Sequence, residues 1–161
     1  MESRFKAKLA FPSIMLTAVV SLFIVFISFK TFFGSEKNLI QCIIISFVLI
    51  VLLLAYLLHP VEYIINDDGI KIRRYLKPIL IRKDFIINIE SVSYERLRPR
   101  FRMFGSGGFC GFFGLFISSG GMVNMQASNL SNLVLIRVKK GFNIVISPEN
   151  RDEFIEKFKN I

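Results

Sequence analysis

The sequence predicts a two-helix transmembrane hairpin followed by a mostly-β barrel or sandwich of about seven strands, capped by a C-terminal α-helix. Three observations predict it. Residues 1–60 contain two long apolar runs and hold only 5 of the 21 Lys/Arg and 2 of the 12 Asp/Glu. Residues 61–146 break into short β-rich runs punctuated by turn residues. The C-terminal residues return to helical spacing. A hydrophobic share of 53% gathered mostly into one third of the chain excludes a wholly soluble globule, a disordered chain and a disulfide-rich secreted module. The boundary falls near Pro60, giving a membrane hairpin over 1–60 and a soluble domain over 61–161.

Residues 9–29 and 39–58 carry no charge and are rich in Ile, Leu, Val and Phe. At about 1.5 Å per residue each run covers roughly 30 Å, one hydrocarbon thickness. The joining segment, Gly34-Ser35-Glu36-Lys37-Asn38, is too short for a domain and allows only a turn. A cleavable leader fits the first run poorly, because the run is long, no small-residue cleavage site follows and a second span comes directly after. Arg4, Lys6 and Lys8 precede the first span, and Lys71, Arg73, Arg74 and Lys77 follow the second. That excess puts both termini in the cytoplasm and the turn outside. Tyr56 falls where an interfacial aromatic would sit. The polar residues within the runs, Ser13, Thr17, Ser21, Ser28, Gln41 and Ser46, are not ionisable, so an ion path or proton relay has little support.

After Pro60, Val61–Ile65 reads as a strand, Asn66-Asp67-Asp68-Gly69 as a turn, and Ile70–Leu76 as a second strand by alternation. Ile79–Arg82 follows, then a short helical turn over Lys83–Asn88 and a fourth strand over Ile89–Leu97. A loop runs from Arg98 to Gly121. Met122–Ala127, Leu133–Val138 and Phe142–Ile146 complete the strands, the last two joined at Lys139-Lys140-Gly141. Ser147 fits an N-cap and Pro148 the first helical position. Phe154, Ile155, Phe158 and Ile161 share one helix face.

Strands followed by one terminal amphipathic helix resemble a pleckstrin-homology (PH) fold. The stretches IINDDGIKIRR (64–74), RMFGSGGFCGFFGLF (102–116), NLSNLVLIRVKKG (129–141) and ISPENRDEFIEKF (146–158) are similar to bacterial PH-like proteins that carry an N-terminal helix pair. The resemblance covers about residues 60–160. It implies a membrane-attached PH-like domain and transfers no catalytic residue.

If the strands form an up-and-down meander, alternate turns face the membrane. Only His59-Pro60 separate the second apolar run from the first strand. The Asn66–Gly69 turn then points away from the bilayer, and so does the turn at Asn129. Lys77, Arg98, Arg100, Arg102, Lys139 and Lys140 are expected to face it. These six are candidate contacts for anionic headgroups, each worth about 1 kcal/mol near the surface. An Asp-Asp-Gly first turn directed away from the bilayer argues against specific inositol-phosphate recognition.

Seven of the ten glycines lie between Gly105 and Gly121, among phenylalanines. One reading is a flexible loop that places Phe104, Phe109, Phe112 and Phe113 at the membrane interface or against a partner. The other is a pair of glycine-bulged strands whose phenylalanines fill the core. The segment matches neither a P-loop nor GxGxxG. Arg96, Arg98, Arg100 and Arg102 alternate and could track phosphates, but a membrane-tethered domain meets anionic lipid before nucleic acid. Cys42 and Cys110 lack a neighbouring base, one His (His59) makes no metal site, and Asp67-Asp68 have no catalytic partner. The expectation is a non-catalytic, cofactor-free binding or adaptor module. Its expected partners are anionic lipids and a protein or a second copy. The alternative is a lipid-sensing or transport-associated subunit that uses the Gly/Phe loop at the bilayer.

Overall fold

A computed structural model describes residues 2–33, 39–97 and 101–160. The expected interhelical turn, Arg98, Arg100 and Ile161 lie outside the described residues. Two helices, α1 (Phe11–Phe33) and α2 (Leu39–Leu58), coincide closely with the two apolar runs. Almost none of their surface is buried against the rest of the chain, and Leu22, Phe23, Leu39 and Phe47 are all more than 60% exposed. Core helices of a water-soluble protein bury such residues. These two are long and apolar enough to span a membrane.

An unexpected strand precedes α1. Residues Ser3–Lys6 form β1, which pairs antiparallel with β2 (Glu62–Asn66) through Ser3↔Ile65 to Lys6↔Glu62. The chain therefore enters α1 and leaves α2 from the same corner of the β domain. The first sheet continues with β3 (Gly69–Arg73) and β4 (Ile79–Arg82), in the order β1-β2-β3-β4. A 3-10 turn at Lys83–Phe85 leads into β5 (Ile86–Val92).

The strand expected over Ile89–Leu97 is shorter than its apolar pattern suggests. It stops at Val92, and Tyr94–Leu97 forms a one-turn helix, α3. Ser93 starts the turn, its hydroxyl accepting from the Arg96 N–H at 3.3 Å. The loop expected over 98–121 holds two eight-residue strands, β6 (Phe101–Gly108) and β7 (Gly111–Ser118). These join β8 (Gly121–Ala127), β9 (Leu133–Val138) and β10 (Asn143–Ile146) in a six-stranded sheet of order β5-β9-β10-β8-β7-β6. β10 lies parallel to β8, and the other pairs are antiparallel.

Two cores lie on opposite faces of this large sheet. Between the sheets, Tyr63, Ile65, Ile70 and Ile72 meet Val134, Ile136, Ile144 and Ile146. Phe5 closes this core with its ring edge-on to Phe154, centroids 5.1 Å apart. On the other face, Leu133 and Val145 alternate with those residues and pack on Val123, Met125, Ala127 and Phe116. Val92 and Leu97 cover this second core.

The terminal helix, α4 (Arg151–Lys159), starts three residues beyond the expected site. Ser147 does not cap it. Its buried hydroxyl oxygen accepts from the Ser128 and Asn129 N–H groups at 2.8 and 3.2 Å, tying down the link between β8 and β9. Phe154 is fully buried and Ile155 and Phe158 are partly buried, as the apolar face predicts.

Candidate functional site

The helix-bearing end of the domain is held by backbone bonds from three segments. Ala7 N–H donates to the Val61 carbonyl, Ala10 N–H to Ser128 and Glu149 N–H to Lys6. The Asn129 side-chain amide donates to the Lys8 carbonyl at 3.0 Å. At the foot of α2, Tyr56 stacks on Tyr75 at 5.3 Å and His59 packs against both rings. The Leu76 N–H donates to the Leu57 carbonyl, so the β3–β4 turn sits directly against the helix end.

A collar of cations surrounds this junction: Lys6, Lys8, Arg73, Arg74 and Lys77. An open cleft of about 480 Å³ lies within it, lined by Lys6, Lys8, Arg73, Glu62 and Glu149. Arg73 pairs with Glu62 at 2.9 Å and Lys8 with Glu149 at 3.7 Å. The Arg74 Nε–H donates to the Lys77 carbonyl at 2.7 Å. Partial burial lowers the Arg74 pKa, but a guanidinium starts so high that it stays charged. Five cations against two carboxylates leave the collar positive.

Of the six expected cations, Lys77 lies at this end. Lys139 and Lys140 do not, which corrects the meander. The Lys139 N–H donates to the Phe85 carbonyl, and Lys83 N–H donates to Asp68, so both lysines share the far end with the acidic turn. The reason is parity. Between β5 and β8 the chain makes three passages rather than none: α3 returns it to the far end, then β6 and β7 follow. The return is fixed by Ser119, whose N–H donates to the Leu97 carbonyl and whose hydroxyl donates to Arg96 at 2.7 Å. An odd number of passages inverts every later turn. The Asn129 link, expected at the far end, consequently meets the helices. Arg102 opens β6 at the end remote from them, and its guanidinium folds back beside Gly107.

The four candidate phenylalanines separate. Phe104 is 75% exposed on β6, and Phe113 is buried. Phe112 packs partly on the second core, and Phe109 is half-buried at the hairpin tip. That tip rests on α1. Thr17 Oγ1 accepts from the Cys110 N–H at 3.0 Å and donates to the Ser13 carbonyl at 2.7 Å, while Leu16 lies against Gly108. Burial pushes the Cys110 thiol up, and the Thr17 contact acts the other way. Among the described residues no His/Cys/Asp/Glu group is arranged to hold a metal.

Sequence reasoning read Lys6 and Lys8 as topology signals and missed their place in the cleft. The only hint was the alternation of Arg4 and Lys6 about Phe5, too short to define a strand. Neither the curated proteins nor the solved structures contain a match to this chain. Residues 61–161 match the family model described as the bacterial PH domain. With the β sandwich and its terminal helix in place, the chain belongs to the bacterial PH domain family.

Proposed function

We propose that this protein is a membrane-anchored, non-catalytic binding module. In this reading α1 and α2 cross a bacterial inner membrane as a hairpin with both termini cytoplasmic. The PH domain is held flush against the bilayer, and its collar engages anionic headgroups. The observation that carries it is the β1–β2 pairing across the base of the two helices, which leaves no free linker between anchor and domain. Lys6, Lys8, Arg73, Arg74 and Lys77 then sit at headgroup level. There each unpaired cation gains about 1 kcal/mol from an anionic surface, less at high salt. The opposite end is left for a protein partner.

The test uses the full chain in nanodiscs, with bound lipids counted by native mass spectrometry. Anionic phosphatidylglycerol should be retained over phosphatidylcholine, and K6Q/K8Q/R74Q/K77Q should lose that preference. Equal retention of both lipids by the unsubstituted chain would defeat the headgroup part.

A second reading has its own support. Thr17 lies six residues beyond Phe11, or about 9 Å along α1. A hairpin tip held at that depth would carry Phe109 into the leaflet, as a lipid-sensing subunit requires. Phe109→Trp fluorescence, quenched by brominated lipid acyl chains, reads this directly. Absence of quenching removes it.

A further inference from the structure

A second cleft lies at the far end of the domain, remote from α1 and α2. It holds about 260 Å³ on the face of the six-stranded sheet that α3 covers. Its floor is apolar: Val92, Leu97 and Val123 are buried and Leu135 is partly buried. Its rim includes Glu90, Arg96, Arg137, Asn143 and the Ser118–Gly120 turn.

On this rim Arg137 engages Glu90 Oε1, and several donors stay uncommitted. Arg137 commits Nε and Nη2 to Glu90 Oε1, at 3.0 and 2.8 Å, which leaves Nη1. Asn143 Oδ1 accepts from the Val138 N–H at 3.3 Å, which leaves its amide protons. Ser118 Oγ accepts from the Gly120 N–H at 3.2 Å, and its own proton stays available. The exposed Arg96 guanidinium makes no hydrogen bond or ion pair among the described residues. Two guanidinium groups against the one carboxylate of Glu90 leave the rim net cationic, so a ligand entering from water meets cationic donors above and hydrocarbon below.

We propose that this cleft binds the C-terminal residue of a polypeptide whose last side chain is aliphatic. The carboxylate faces Arg96 and Arg137, the preceding peptide carbonyl faces the Asn143 amide, and the side chain covers Val123 and Leu135. A volume of 260 Å³ is at the small end for a ligand site and suits one aliphatic side chain with its carboxylate rather than a nucleotide. The position supports a polypeptide source, since the cleft opens on the side away from the apolar helices. This site is independent of the collar, so neither test decides the other.

The experiment uses the full chain in nanodiscs with labelled Leu and Val methyl groups. The probe is N-acetyl-Ala-Leu as the free acid, compared with its C-terminal amide and with hexanoate. Saturable shifts at Leu97, Val123 and Leu135 are expected for the free acid, with affinity at least about tenfold above that for the amide and for hexanoate. Arg96→Gln should weaken the acid about tenfold, and Arg96→Lys should restore part of it. Equal binding of acid and amide, or an unaltered affinity in Arg96→Gln, overturns the proposal. Tighter binding of hexanoate than of the peptide overturns the polypeptide source. Arg96 is exposed, so a melting temperature equal to that of the unsubstituted chain checks that the fold is intact.

Discussion

The hairpins β2–β3 and β6–β7 are both antiparallel and both turn at glycine, yet they are built on different principles. In β2–β3, side chains determine the pairing. Tyr63, Ile65, Ile70 and Ile72 alternate into the first core, and the Asn66–Gly69 turn lies far from the helices. In β6–β7, missing side chains determine it. Gly105 and Gly114 pair directly, each at φ +112, and a Cβ on either would fall 1.9 or 2.1 Å from a carbonyl oxygen across the pair. A bulge between Arg102 and Phe104 adds curvature, and the tip comes to rest on α1. The first hairpin is specified along its strands by burial, with one close backbone approach at Gly69 in its turn, and the second by backbone approach within the strands, so their strand interiors should fail under opposite substitutions.

The largest expected effect is at Gly114→Val. The side chain has no room beside the Phe104 carbonyl, and a β-branched residue is strained at that φ. A loss of about 4 kcal/mol or more is expected in denaturant unfolding of the full chain in micelles. Lys71→Val, on the exposed face of β3, should shift stability by less than about 0.5 kcal/mol in the same measurement. Similar losses for the two would erase the distinction. Next comes Phe5→Ala. It removes the ring that seals the first core against Phe154, and about 3–4 kcal/mol is expected. A loss under about 1 kcal/mol would mean that β1 is an ornament on the sheet.

The same contrast explains what was legible in the sequence. Both apolar helices, the β2–β3 hairpin, β9, β10 and the amphipathic face of α4 follow from periodicity, because their cores are made of side chains. The β6–β7 hairpin carries too few side chains for period two to register, so its segment read equally well as a loop. β1 contributes one core residue, Phe5, from the wrong side of two spans. The collar was half legible: Lys77 follows from the short His59-Pro60 link, whereas Lys6 and Lys8 need β1, and Lys139 and Lys140 were misplaced by one uncounted return through α3. Ser147 looked like a cap because its local sequence fits one. Its partners, Ser128 and Asn129, are distant in the chain.

Tyr63 offers a pH test of the first hairpin's seating on the large sheet. Its hydroxyl is fully buried, donates to the Gln126 carbonyl at 2.6 Å and accepts from the Ser147 N–H at 3.3 Å. Burial pushes its pKa from 10.0 up to about 12. The unfolded chain thus releases this proton first, and stability from Tyr63 is complete below pH 10 and lost as pH rises toward 12. Linkage makes that loss roughly 3 kcal/mol. Tyr63→Phe should cost about 1–3 kcal/mol at neutral pH, since two backbone groups lose a partner. It should also show a shallower decline between pH 10 and 12. Parallel alkaline unfolding curves for the two proteins would exclude Tyr63 as the source.

The smallest effect, and the most direct probe of the second hairpin, is at Thr17. Thr17→Val keeps the shape but removes the acceptor for the Cys110 N–H, at a cost of about 1 kcal/mol. Cys110 reports the result because the residue is buried while the tip is docked, and Cys42, which is exposed, can be replaced by Ser. If maleimide reaches Cys110 only when the tip lifts, the rate follows the open population, so Thr17→Val should raise it about fivefold at fixed pH. Lys71→Val should leave it unchanged, because Lys71 lies on the exposed face of β3, away from the core. A Thr17→Val rate equal to that of the unsubstituted chain would mean that packing of Leu16 on Gly108 holds the tip without the hydrogen bond. The coupling between helix and hairpin would then be steric.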